Sequence, residues 1–394
     1  MMKKKILVIS PAFPPYSGVG SKRMGSLINY ISNFDNFSLL VIKNNNDMWS
    51  SNLVLDKVNP KIPTIDIRCN NPNSFFKMQK LYSRFIYEQT LLFKPDIIII
   101  SSGPFYTLKP IKKIRRDFKI KIILEFRDLW LINPRKPKGI VGKLKFFLLN
   151  FFQGNYLTEF KAINNSSKII VTSSRDKEIL MRKYFVKYEK ISIIKNGFDR
   201  VLSKKLLPKR EENLNAFKIC LFGKFSYYSK ASTLIFYNAL NYLSLKTKIQ
   251  VVHIGEKEPF VENLFNKNIN ENISYYNTGF LKYEDGLLKC YKSDLLLLIE
   301  DSPTGFGTKI FDYIMVNKPV LLIARNPGLL GELISSFKNG FVSTSELETK
   351  KIIEYIILNN LQCLDNLDNI DKFSRERQNQ KYLEIINELL RRKE

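Results

Sequence analysis

The stretch Thr304-Gly-Phe-Gly-Thr-Lys-Ile-Phe-Asp312 follows an apolar run ending near Glu300 and carries the clearest chemistry in the chain. Its glycines, Gly305 and Gly307, let a ligand come close to the backbone. A helix opening near Thr308 offers free amides to a phosphate or a sugar hydroxyl. Asp312, one turn on, is spaced to accept hydrogen bonds from a ribose diol. The other reading of this loop is a glycine turn that merely caps a helix. A second candidate anion cradle lies near the N-terminus, in Pro11-Ala-Phe-Pro-Pro-Tyr-Ser-Gly18-Val-Gly20-Ser-Lys22-Arg23. There the amides of Gly18, Val19, Gly20 and Ser21, at a helix start, point toward negative charge. A plain tight turn fits that loop as well. It is not a GxGxxG turn, which argues against a dinucleotide cofactor. The single histidine, His253, falls inside an apolar run and reads as a core residue. The four cysteines (Cys69, Cys220, Cys290, Cys363) form no CxxC pair, so no metal site is expected. They read as free thiols of a reducing compartment.

The elements that must hold these loops alternate. Ile6–Ser10, Phe37–Ile42, Ile97–Ser101, Ile122–Glu125 and Lys168–Thr172 read as buried strands, separated by helical stretches such as Ser21–Phe34, Phe75–Leu92 and Leu144–Asn164. The pattern restarts at Phe217–Phe222 and continues through Gln250–Ile254, Ile273–Thr278, Leu295–Ile299 and Pro319–Ile323. Alternation of this kind implies parallel sheets covered on both faces. The expected fold is therefore α/β, with two Rossmann-like doubly wound domains facing a cleft. The expected boundaries are 1–200, 201–372, and an amphipathic C-terminal helix over 373–394. The polar stretch Arg200–Asn215 is the expected linker. Such sheets bind ligands in the loops beyond the carboxyl ends of their strands. The opening MMKKKILVIS reads as a first strand rather than a leader, since Pro11, Pro14 and Pro15 break the apolar run. No stretch is apolar for the roughly 18 or more residues a membrane span needs.

Charge is unevenly spread. The chain carries a formal net charge of +26 over 394 residues. Residues 1–200 hold 36 Lys/Arg against 14 Asp/Glu, whereas residues 201–394 hold 27 against 23. A lysine-rich genome would raise the total but not the asymmetry, so the basic half implies a polyanionic partner. Two basic regions stand out. One is Leu108–Lys121, with Lys112, Lys113, Arg115 and Arg116. The other is Lys136–Phe160, where Lys143 and Lys145 precede Phe146 and Phe147. Basic, aromatic helices of this kind lie in the interface of an anionic bilayer. The alternative for the second region is aromatic core with a lysine rim.

Taken in order, these motifs resemble the retaining glycosyltransferase family four, whose two-Rossmann fold is called GT-B. The family's donor motif reads Glu-x-Phe-Gly, four residues, then Glu. Here Phe306-Gly307 and the spacing are kept, while Thr304 and Asp312 stand at the glutamate positions. The first loop is similar to the family's Pro-Pro-x-x-Gly-Gly entry. Ile194-Lys-Asn196-Gly197-Phe-Asp199 is similar to its Pro-Asn-Gly-Val-Asp segment, and Leu221-Phe-Gly223-Lys224 to its Gly-Arg turn. Ile254-Gly255, Asn277-Thr-Gly279-Phe280 and Tyr291-Lys-Ser-Asp294 match later strand ends and entries. The resemblance implies that Lys224, in the place of an arginine, and Lys230, one residue beyond the family's spacing, hold a donor diphosphate. It likewise implies that Arg127 and Asp128, in Glu125-Phe-Arg-Asp-Leu-Trp130, orient the acceptor hydroxyl or donor sugar. A buried ion pair is the other reading of those two residues.

The expected activity is transfer of a hexose-type sugar, with retention, from a nucleotide sugar (uridine diphosphate by default) to a lipid-linked or saccharide acceptor. The implied setting is capsule, O-antigen or related polysaccharide assembly, in a cytoplasmic protein peripheral on the inner face of the cell membrane. The resemblance implies that the leaving phosphate takes the acceptor proton, so no dedicated base is needed. No cofactor or metal is expected, because suitable histidines and cysteines are lacking and the fold generally does without one. No nucleic-acid partner is expected either, because no reader module is present. The alternatives are a catalytically degenerate nucleotide-sugar-binding scaffold, motivated by Thr304 and Asp312, and a GT-B nucleotide-sugar epimerase.

Overall fold

The computed structural model describes the chain except residues 1–2, 17–18, 45–57, 69–74, 103–104, 128, 130, 132–138, 201–215, 244–246, 268–269, 302–306 and 393–394. It divides into two compact units, Met1–Asn196 with Arg375–Glu394, and Gly197–Ser374.

In the first unit the strands are β1 (Lys4–Ile9), β2 (Phe37–Asn44), β3 (Thr64–Ile67), β4 (Ile97–Ser102), β5 (Lys121–Phe126), β6 (Lys168–Val171) and β7 (Ile191–Ile193). They form a parallel sheet in the order β3-β2-β1-β4-β5-β6-β7. Parallel neighbours require a crossover, and the intervening amphipathic helices supply it while burying both sheet faces. Ile97, Ile98, Ile99 and Ile100 are accordingly all fully buried, with alternate residues in different core clusters. The strand order reverses between β1 and β4, the switch point at which doubly wound sheets place ligands.

The last helix, Arg375–Arg391, belongs to this first unit rather than standing apart. Tyr382, Leu383, Ile386 and Leu389 complete the core under the helix Val19–Ser32. Gln378 accepts a bond from the Lys195 amide at 3.0 Å, and Asn379 donates to the Ser26 hydroxyl at 3.0 Å.

The stretch expected as one helix over Leu144–Asn164 is two, Ile140–Phe152 and Asn155–Asn165. Gly154 interrupts it with φ +67°, a left-handed conformation glycine adopts without steric cost.

The second unit repeats the plan with β8 (Phe217–Phe222), β9 (Ile249–Ile254), β10 (Ile273–Asn277), β11 (Leu295–Ile299), β12 (Val320–Ile323) and β13 (Gly340–Ser343). Their order is β10-β9-β8-β11-β12-β13, all parallel, with the switch point between β8 and β11. The Phe198 amide bonds the Phe373 carbonyl at 3.2 Å and closes the unit on itself. Of the expected linker, residues 201–215 lie outside the described residues. Among the described residues no helix is long and apolar enough to cross a membrane.

Candidate functional site

In the second unit the loops after β8 and β9, beside the switch point, meet through two glycines. Gly223 follows β8 with φ +107°, and its amide donates to the Ile254 carbonyl at 2.6 Å. Gly255 follows β9, and a Cβ there would sit 2.6 Å from the Gly223 carbonyl oxygen, so only glycine allows the two loops to touch. Below them, β8 and β11 pair as far as Cys220 and Leu296 and then part. The Tyr313 hydroxyl spans the gap, accepting from the Phe222 amide at 2.9 Å and donating to the Leu297 carbonyl at 3.1 Å.

Three lysines follow or face these loops, in different states. Lys224 is partly exposed and ion-paired with Glu256, whose hydrogen bond holds its pKa above the usual lysine value. Lys230 opens the helix Lys230–Asn241 and lies over the Phe260 ring at 5.2 Å. Lys309, not singled out among the expected site residues, opens the helix Lys309–Val316. Its ammonium lies over Gly223, 2.9 Å from where a Cβ would be. Burial lowers its pKa, opposed by the charges of Glu300 and Asp312. It makes no salt bridge or hydrogen bond with any described residue. The carboxylates do not fully offset burial, and an added anion would further stabilise an ammonium held at a helix N-terminus over a glycine turn.

Around the lysines the polar groups are fixed. Glu258 accepts from the Phe225 amide at 2.6 Å, the Ser226 amide at 2.8 Å and the Ser226 hydroxyl. Burial alone would raise its pKa; these bonds outweigh burial and hold it below the ordinary glutamate value. His253 is fully buried. Its Nε2 donates to the Gly223 carbonyl at 2.8 Å, while Nδ1 accepts from the Asn277 amide at 2.8 Å. That assignment follows from Asn277, whose Oδ1 is committed to the Gly279 amide at 2.8 Å. His253 is thus a neutral strut under the glycine turn, with its pKa lowered by burial. Asp312 accepts from the Tyr283 hydroxyl.

Of the donor residues expected here, Gly307 is exposed and Thr308 sits at the helix start without a side-chain cap bond. Thr304, Gly305 and Phe306 lie outside the described residues. Lys309 and Asp312 share the first turns of one helix, and Lys309 joins that helix to Gly223. Lys224 follows Gly223 directly in the chain, but its side chain pairs with Glu256.

In the first unit, Gly20 lies in the helix Val19–Ser32, and the Arg127 guanidinium lies so close that a Cβ on Gly20 would meet it at 2.1 Å. Gly18 and Asp128 lie outside the described residues, as does the side chain of Val19. Among the described residues, a buried ion pair of this region joins Arg23 with Glu125. Arg23 also donates to the Ile194 carbonyl at 2.9 Å and the Lys195 carbonyl at 2.7 Å, pinning the first helix to the end of the sheet. Glu125 interrupts an apolar strand, and that was the sequence signal for it. Among the membrane-facing residues expected, Lys112, Lys113, Arg116, Lys143, Lys145 and Phe147 are exposed, while Arg115 and Phe146 are half-buried. Arg115 donates to the Lys119 and Ile120 carbonyls, both at 3.0 Å.

Residues 50–201 match the model of Glycosyltransferase Family 4. No curated protein sequence matches the chain. Solved structures match it end to end at low identity. A glycosyltransferase from Rickettsia africae superposes with a TM-score of 0.65 at 17% identity, covering 99% of this chain and 100% of that one. Anabaena HepE in complex with UDP and glucose gives 0.61 at 16%, covering 98% and 100%. The apo form of the lipopolysaccharide outer core galactosyltransferase WaaB gives 0.61 at 14%, covering 98% and 99%. The UDP-GlcNAc 2-epimerase of Methanocaldococcus jannaschii gives 0.56 at 14%, covering 98% and 99%. The fold is the two-unit GT-B fold, and the family-four match is confined to residues 50–201, less than half of the chain.

Proposed function

We propose that this chain is a glycosyltransferase moving a hexose-type sugar from a nucleotide sugar, uridine diphosphate-linked by default, to a lipid-linked or saccharide acceptor. The reading extends to retention at the anomeric carbon and to cell-surface polysaccharide assembly of the capsule or O-antigen kind. It places the work at the anionic inner face of the cell membrane. The observation that carries the donor side is Lys309, held over the Gly223 turn at the switch point of the second unit. An ammonium and helix-terminal amides there suit a diphosphate, whose charge grows as the sugar–phosphate bond breaks. Lys224 and Lys230 add positive charge at the rim, and Asp312 is the carboxylate for a ribose or sugar diol. Arg127, and Asp128 beside it in sequence, are assigned to the acceptor. The acceptor proton goes to the leaving phosphate, so no dedicated base takes part, and the lysines and helix amides supply the charge neutralisation that a metal would otherwise give.

The family-four signature over residues 50–201 favours transfer over epimerisation. Substitution of the motif glutamates by Thr304 and Asp312 is what supports a binding scaffold instead. The test is release of nucleoside diphosphate from a panel of nucleotide sugars, with polyprenyl-phosphate-linked saccharides as acceptors. Acceptor-dependent release that survives EDTA and is lost in Asp312→Ala is expected. Binding without release from any donor would assign the scaffold role, and interconversion of the donor sugar without transfer would assign the epimerase.

A further inference from the structure

The helix Ile140–Phe152 in the first unit buries only one narrow stripe of its surface. Gly142 and Phe146 are half-buried and Asn150 is buried, at i, i+4 and i+8, while the ten remaining side chains are exposed. Only two of those ten, Lys143 and Lys145, are polar. Ile140 is 87% exposed and Phe152 76%. The helix Asn155–Asn165 extends the apolar surface with Leu157 and Phe160.

The second helix anchors itself through Ala162 and Ile163, which join the core, whereas around the junction of the two helices the buried side chains are polar. Asn150, Asn155, Thr158 and Glu159 are buried. Asn155 donates to the Asn150 side chain at 2.9 Å, Asn150 donates to the Phe146 carbonyl at 2.8 Å, and the Tyr184 hydroxyl donates to Glu159. The helix Ile140–Phe152 is therefore inside out relative to a water-facing helix, whose apolar stripe turns inward.

We infer that this helical pair enters the interfacial layer of a lipid bilayer as an apolar wedge. The inference rests on the membrane-surface part of the reading above and changes what holds the protein there. A second copy of the chain would cover one face of the pair; a helix apolar on three sides matches a solvent that surrounds it. Thirteen residues span roughly 20 Å, too short to cross a hydrocarbon core of about 30 Å but suited to lying along its edge. Charge agrees with that placement. Lys143 and Lys145 have stems long enough to reach headgroups from such a position. The helix Ile111–Phe118, packed against Asn155–Asn165, exposes Lys112, Lys113 and Arg116 beside the wedge. Those cations add attraction to anionic lipid, whereas the apolar surface supplies the attachment that salt does not screen.

The full-length protein is mixed with vesicles of phosphatidylcholine and phosphatidylglycerol at 0.1 and 0.5 M NaCl, and the bound fraction is measured by cosedimentation. Binding that falls less than about threefold between the two salts is expected, with at least a tenfold loss in Leu149→Glu/Phe152→Glu. Both of those residues are exposed, so the melting temperature should stay at that of the parent. Phe151→Trp supplies an independent reading: its emission should shift to the blue on vesicles. Binding abolished at 0.5 M NaCl, no binding at either salt, or unchanged binding by the double variant overturns the wedge. A dimer in sedimentation that the glutamates dissolve overturns it too, and assigns the face to a second copy. Nucleotide binding by the same variants in solution separates the two ideas: if it stands while vesicle binding fails, the wedge alone is wrong.

Discussion

Replacing Lys309 by methionine removes one charge and keeps most of the volume and the stem that packs near Gly223. If the ammonium receives the donor diphosphate, the loss is that of a charge-assisted hydrogen bond, about 1.5–3 kcal/mol. At 1.4 kcal/mol per decade this weakens uridine diphosphate binding by roughly 10- to 150-fold. Uridine, which has no phosphate, should bind the variant and the parent alike, and Lys309→Arg should recover part of the loss. Isothermal titration of uridine, its monophosphate and its diphosphate against the three proteins gives the comparison. In the competing picture, Lys309 is a structural counter-ion to Glu300 and Asp312, whose charges act on it. That picture predicts a lower melting temperature for Lys309→Met and an unchanged diphosphate affinity. This pair of results would refute the donor assignment.

Other outcomes follow from the same geometry. Gly223→Ala should lower stability by at least about 1 kcal/mol in thermal unfolding and weaken diphosphate binding. The residue is at φ +107° and its new methyl would displace Lys309. Arg23→Met should destabilise by about 3–5 kcal/mol, because Glu125 is left buried without its partner. The double variant Arg23→Met/Glu125→Gln should recover part of that in denaturant titration. His253 has a folded pKa below its unfolded value near 6.5, so the unfolded chain takes up the proton first on acidification. Its contribution is therefore complete above about pH 6.5 and declines as pH falls toward the folded pKa. Melting temperatures between pH 7.5 and 5.5 should fall less steeply in His253→Gln than in the parent.

The central strands were readable because burial on both faces writes a continuous apolar run. Phe217–Phe222 and Leu295–Ile299 have the same ends in sequence and structure. The strands Thr64–Ile67, Ile191–Ile193 and Gly340–Ser343 were not read. Each is three or four residues long, only partly buried, and at the end of its sheet's strand order, so no run marks it. The site shows the same division. The glycine loops announce themselves by composition, but Lys309 is meaningful only because folding carries it over Gly223, a distant residue in the chain. In isolation it is an ill-favoured cation at a helix start. The segment around Phe146–Phe152 was readable as either core or membrane face, since local composition cannot say which side of a helix meets the rest of the protein. Its buried stripe of Gly142, Phe146 and Asn150 became visible only in three dimensions.

The central claim is that the second unit receives a nucleoside diphosphate sugar, and equilibrium titration of the full chain tests it most directly. The titrants are uridine diphosphate and its hexose conjugates, with other nucleoside diphosphates, NAD and a short DNA duplex as controls. Saturable binding at one site per chain is expected for one nucleoside diphosphate and its sugars, with weak salt dependence and loss in Lys309→Met. Absence of any nucleoside diphosphate binding, or binding only of the duplex with steep salt dependence, would contradict it.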